Sequence, residues 1–177
     1  GLTGCITFYN SIFRNNKIIS KNGKCEDSVN IINSKGNLSQ IKIKNAFADG
    51  LDIDFSEISV LNTEVVKANN DCLDLSSGFY EFYKINLLNC GDKGLSVGEK
   101  SEFKSNLLNL KSADIGVSSK DLSATFLNQV NLVDVDVCFE AKQKKQEFGG
   151  GFLEYKEVSC NGSFKVDKKS HIIQIKQ

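Results

Sequence analysis

The amino-acid sequence predicts an all-β protein folded as a parallel solenoid of about seven coils, each about 22 residues long. Three observations predict it. An apolar-x-apolar strand recurs at a near-constant interval, a turn residue recurs in step with it, and the chain contains no proline. Proline has no amide to donate, so its absence suits strands that must be hydrogen-bonded on both sides.

The apolar residue that opens each strand falls at Ile6, Val29, Leu51, Leu73, Leu95, Ile115 and Val137, at intervals of 23, 22, 22, 22, 20 and 22. Two positions on, the apolar set recurs as Phe8, Ile31, Ile53, Leu75, Val97, Val117 and Phe139. Strand alternation buries both sets and turns the residue between them outward. That outward set is Thr7, Asn30, Asp52, Asp74, Ser96, Gly116 and Cys138, and it is mostly polar.

Six residues before the opener lie Asn45, Lys67, Asn89, Asn109 and Asn131. Asparagine tolerates the left-handed backbone of a turn, and stacked amides can bond to one another as a ladder. A third apolar row, Ile43, Val65, Leu87 and Leu107, precedes that turn, so each coil holds more than one strand and more than one bend. Leucine-rich repeats of similar length need a signature that is absent here, and propeller blades need ~40 residues or more.

Residues 1–140 therefore form the coils. The charged run "AKQKKQEFGGG" at 141–151 reads as a loop leaving the solenoid. The alternation in "FLEYKEVSC", "SFKV" and "HIIQIKQ" then makes 141–177 a charged, glycine-rich loop followed by strands that close or cap the helix.

Composition narrows the function classes. Lys plus Arg number 22 and Asp plus Glu 22, so no basic field exists to draw in nucleic acid. No apolar run is long enough for a membrane-spanning helix. The chain has no methionine, which points to a processed product or a piece of a larger parent chain whose neighbour covers the first coil. The six cysteines show no metal-binding spacing, and His171 is the only histidine. Buried, reduced thiols are therefore expected, with Cys5 and Cys25, on neighbouring coils, the one pair suited to a disulfide.

The segments "DGLDIDFS" (49–56) and "NDCLDLSS" (70–77) concentrate acidic residues on the outward side of the first strand. Calcium takes six to eight oxygens, and carboxylates from neighbouring rungs can supply several, so Asp52, Asp54 and Asp74 are the candidate metal ligands. Asp27, Asp49 and Asp71 share a second row that Lys93 continues, making Asp49 and Asp71 candidate ligand-binding residues. Five residues after each opener, Lys100, Lys120 and Lys142 form a basic stripe. Lys100 and Lys120 are thus candidates for an acidic glycan or a protein partner. The outward rows show mostly small or charged residues and no aromatic platform.

The coil length, the asparagine row and the outward first sheet, over about residues 4–140, resemble the right-handed parallel β-helix of the pectate-lyase-like superfamily. "LTGCITFYNS", "DGLDIDFS" and "GDKGLSVGEKS" also resemble β-helix segments of large bacterial surface or secreted proteins, some with CotH-type kinase domains. The superfamily resemblance implies polyuronate bound on the first sheet, calcium held by aspartates, and a lysine or arginine as base. Lys93, one rung from Asp71 and Asp74, is the candidate catalytic residue on that view. The departures are substantial: Arg14, the sole arginine, lies in the first coil, and the hydrolases' asparagine-x-aspartate, paired aspartates and glycine-histidine-glycine are missing. The expected function is a non-catalytic domain of a larger secreted or surface protein, a scaffold or a module binding polysaccharide or another protein domain. The alternative is a calcium-dependent polysaccharide lyase or epimerase.

Overall fold

The computed structural model describes residues 2–176, and every regular element among them is a β-strand. Short and long strands alternate: β1 (Gly4–Tyr9), β2 (Ile12–Lys21), β3 (Asp27–Ile32), β4 (Lys35–Ala46), β5 (Asp49–Asp54), β6 (Glu57–Ala68), β7 (Leu73–Ser76), β8 (Phe79–Cys90) and β9 (Lys93–Gly98). Next, β10 (Glu102–Lys120) and β11 (Ala124–Lys142) each run unbroken through two corners, onto all three faces. The chain finishes with β12 (Phe152–Ser159), β13 (Ser163–Val166) and β14 (His171–Gln174). All pairings are parallel, and each strand pairs with its counterpart one turn away, giving a solenoid of about eight turns.

Each coil has three faces. The short strands, the second halves of β10 and β11, and β13 build the first. The long strands build the other two, because they bend midway. In β4, Leu38 and Ile41 are both buried while Ser39 and Gln40 between them are not, which places a corner there. Leu51, Leu73 and Leu95 stack in one fully buried column of the first face, and Ile43, Val65, Leu87, Leu110 and Leu132 stack opposite on the third. Stacked at rung spacing, such columns fill the interior at close-packed density.

The other corners turn through left-handed residues. One row is Asn22, Asn45, Lys67, Asn89, Ser112 and Asp134, and the other is Asn10, Asn33, Phe55, Ser77, Glu99 and Asp121. Serines brace the second corner: the Ser11 amide donates to Ser34 Oγ at 2.9 Å and the Ser34 amide to Ser56 Oγ at 3.0 Å.

The later coils correct the sequence register. Leu95 pairs with Val117 and Val117 with Phe139, so Ile115 and Val137 sit one pleat early, and Ile115 pairs with Lys93. The spacing of 22 is thus kept from β3 to β11 on this face. One residue, Lys100, is inserted at the second corner, where Glu99 and Lys100 are both left-handed. One residue is lost at the first corner, where Ser112 precedes Val117 by five positions whereas Asn89 precedes Leu95 by six. Consequently Leu107 lies outside the third apolar row, and the outward row runs through Ser118 and Glu140 rather than Gly116 and Cys138.

The asparagine row divides in two. Asn45 donates to Asn22 at the turn, 2.9 Å, while Asn109 and Asn131 belong to a strand row with Asn86, linked at 3.0 and 2.9 Å. Asn89 keeps its left-handed turn position.

The thiols are oxidised, against expectation. Cys5–Cys25 forms, and so do Cys72–Cys90 and Cys138–Cys160. Cys72 occupies an inward column shared with Gly50 and Gly94, and Cys90 occupies the column of Ala46 and Ala68. These two small-residue columns face each other across one corner, bringing the Cα atoms to 5.3 Å, well within disulfide range. Disulfides persist in oxidising compartments, so these three are compatible with an extracellular protein. No helix of the described residues is long and apolar enough to cross a membrane.

The segment 143–151 folds back rather than departing. Asp121 accepts the Lys144 and Lys145 amides at 2.7 and 2.8 Å, Lys145 pairs with Glu99, and Lys100 Nζ lies 5.7 Å from the Phe148 ring centroid. Beyond it β12, β13 and β14 continue the stack, ending on the aromatic cluster of Phe139, Tyr155 and Phe164.

Candidate functional site

Two surfaces concentrate chemistry: the acidic part of the first face and a groove along the second. On the first, register aligns Asp27 with Asp49, and Asp52 with Asn30 below it and Asp74 above. Two carboxylates of the Asp49 row, Asp49 and Asp71, accept an amide from the next rung. Asp49 takes the Asp71 N–H at 2.8 Å and Asn70 Nδ2 at 2.7 Å, and Asp71 takes the Lys93 N–H at 3.0 Å. Asp52 accepts from Asn30 Nδ2 at 2.9 Å.

Burial makes five of the aspartates here harder to ionise. Burial lifts Asp27 to about 6 despite the Thr3 hydroxyl that donates to it, and lifts Asp71 to about 6 despite Lys93. Burial also raises Asp49 and, reinforced by neighbouring aspartates, raises Asp52 and Asp54. Burial of Lys93 favours the neutral amine, but the adjoining Asp92 and Asp71 outweigh it and hold its pKa above the ordinary lysine value. Its Nζ stands 3.4 Å from Asp71 and also pairs with Asp92. A group held as an ammonium is poorly disposed to take a proton.

The predicted residues thus separate. Asp49, Asp52, Asp54, Asp71, Asp74 and Lys93 come together on neighbouring rungs. Lys100 and Lys120 do not share a row. Lys120 pairs with Lys142, and its buried stem lies over Gly98, whereas Lys100 is the inserted corner residue. Calcium is a poor fit to the acidic rows, since no group of three or more His, Cys, Asp or Glu among the described residues is arranged to hold a metal ion. Parallel rungs ~4.8 Å apart string the carboxylates out instead of converging them.

The second face holds what the sequence reading missed. Along it runs an open groove of about 710 Å³ flanked by Ile12, Lys35, Glu57, Phe79, Glu102 and Lys104. It is continuous, through shared Glu81 and Lys104, with a depression of about 260 Å³ bounded by Tyr83, Phe126, Asn106 and Asn128. Phe79 is 60% exposed and Tyr83 58% exposed. Phe126 and Phe152 pack with ring centroids 6.0 Å apart and planes tilted by 54°, Lys104 Nζ lies 5.9 Å from the Phe126 ring centroid, and Asn128 donates to Asn106 at 3.2 Å.

At the ridge between these faces Phe55 is 61% exposed and left-handed, with φ of 50°. That conformation is a genuine outlier for a bulky side chain, costing on the order of 1–3 kcal/mol. Asparagine, serine and acidic residues fill the equivalent corners. The available signal was the aromatics at outward parity in "GFYEFY" and "ATF", whose face becomes definite only once the corners are placed.

Comparison of the chain with protein-family models, with curated proteins and with solved structures finds no match.

Proposed function

We propose that the chain is a non-catalytic, disulfide-stapled β-solenoid module that binds a polysaccharide along the second face. Support comes chiefly from Phe79, Tyr83 and Phe126 around the groove and its adjoining depression, with Phe152 packed against Phe126 and Phe55 exposed on the neighbouring ridge, among Glu57, Glu81, Glu102, Lys104 and paired Asn106–Asn128. Exposed apolar surface of this kind marks an interaction site, and aromatic faces offer rigid contact area at little entropic cost. Sugar rings present apolar C–H faces to such rings, while their hydroxyls pair with carboxylates and amides at the groove edge. A secreted or cell-surface setting agrees with the disulfides.

Affinity electrophoresis against neutral, acidic and amino polysaccharides tests the reading. Phe79→Ala and Tyr83→Ala should each weaken retention about tenfold, roughly 1.4 kcal/mol, while the β-type circular dichroism stays unchanged. Retention by none of the polysaccharides, or retention indifferent to both substitutions, contradicts it.

The lyase or epimerase alternative rests on the aspartates gathered beside Lys93. It stands second because Lys93 is tied up as an ammonium and the carboxylates do not converge on a metal. Calcium-stimulated production of unsaturated uronides, abolished by Lys93→Ala, would promote it.

A further inference from the structure

The outward column of the first face contains acceptors that the fold leaves unused. Asn30 and Ser96 are fully buried, yet Asn30 Oδ1 and Ser96 Oγ have no hydrogen-bond partner, and neither has Asp74 Oδ1. Register places the four in consecutive rungs, Asn30, Asp52, Asp74, Ser96. Asn30 Nδ2 already donates to Asp52, so its carbonyl oxygen remains in the same column. An unmet buried acceptor is costly, and four adjacent rungs containing three of them is unusual in a native protein.

Charge on both sides makes the same demand. Asp49 and Asp71 flank the column on one side and Asp54 on the other, and the cation ion-paired here is Lys93, at the far end against Asp71 and Asp92. The missing complement is positive charge together with N–H donors. It must also be extended, because the acceptors are spaced by rungs of ~4.8 Å and cannot close around one small ion. That requirement agrees with the absence of a metal-holding group among the described residues.

We infer that the column Asn30–Asp52–Asp74–Ser96 and its flanking aspartates bind a linear aliphatic polyamine along the solenoid axis. Successive ammonium groups separated by short methylene chains lie over successive rungs. Each donates charge-assisted hydrogen bonds to the carboxylates, and the methylenes cover the strand between. This site lies on a different face from the groove proposed for polysaccharide, so either can fail without the other.

Isothermal titration of the full, oxidised chain with spermine at low ionic strength tests the inference. Saturable binding is expected, weakened about tenfold by Asp52→Asn combined with Asp74→Asn, and unchanged by Glu57→Gln with Glu102→Gln on the second face. Ser96→Ala is the sharper variant. Its hydroxyl makes no hydrogen bond in the fold, so the melting midpoint should hold while spermine affinity drops several-fold. Parallel titrations use calcium chloride and oligolysine. The inference is overturned if spermine fails to saturate or if the first-face variants bind it unchanged. It is equally overturned if calcium displaces spermine stoichiometrically, which indicates a metal site, or if oligolysine binds where spermine does not, which indicates a peptide surface.

Discussion

Coils two to four and coils five to seven present the same backbone on the first face but treat charge differently. In β3, β5 and the segment from Asp71 into β7 the carboxylates lie on neighbouring rungs, and burial raises the affinity of Asp27, Asp49, Asp52, Asp54 and Asp71 for protons. In β10 and β11 the comparable carboxylate, Glu140, accepts from Ser118 at 2.8 Å and pairs with Lys142 at 2.9 Å, while Lys145 pairs with Glu99. On the first face both halves keep the 22-residue register and an inward apolar column. The columns inside therefore specify the fold, and the outer column is free to be matched or unmatched.

The largest effect should show that the interior does not distinguish the halves. Leu73→Ala beneath the acidic coils and Leu110→Ala in the later ones should each cost about 2–5 kcal/mol, since stacked rungs cannot collapse into the gap. Urea unfolding measures both. A cost near zero at one of the two sites breaks the equivalence.

Opening the Cys72–Cys90 bridge by the paired Cys→Ala change should cost about 3 kcal/mol, the loop-closure value for a ring of this size. Because the bridge closes one coil internally, proteolysis should become faster around 70–92 and remain slow in β10 and β11. Uniform acceleration would show that the bridge stabilises the whole stack.

The pH response separates the halves further. A carboxylate whose folded pKa is raised binds protons more tightly folded than unfolded, so its contribution to stability is greatest below the unfolded pKa and is lost as pH rises through the folded value. With Asp27 and Asp71 near 6, and Asp49, Asp52 and Asp54 also raised, the thermal midpoint should fall between pH 5 and pH 8.5. Scanning calorimetry across that range checks the sign. A midpoint that rises with pH contradicts the assignment of unmatched charge.

The fold was legible because period and parity are written in the interior residues: Leu51, Leu73 and Leu95 are found by counting. The register broke where two corner changes cancelled. An added Lys100 and a shortened Ser112–Val117 segment preserve the 22-residue period, and the alternative pair Ile115 and Val137 offers the same parity. The oxidised cysteines were obscure for a related reason. Cys72 and Cys90 belong to different columns, and strand periodicity does not say which columns face each other across a corner. The acidic cluster was readable from "DGLDIDFS" and "NDCLDLSS", whereas the groove needed the three-sided cross-section, since the outward parity of Phe79 and Tyr83 does not reveal that they share a face with Phe126.

The smallest effect is also the most direct test. At pH 8.5, Asp52→Asn should raise stability by ~0.2–1 kcal/mol, because it removes one of several like charges on neighbouring strands. Glu140→Gln should lower it by about 1 kcal/mol, because it breaks a hydrogen-bonded ion pair. Chemical denaturation of the two variants beside the parent chain gives the result. Shifts of opposite sign are predicted; shifts of the same sign would contradict the claim that one half of the first face is unmatched and the other matched.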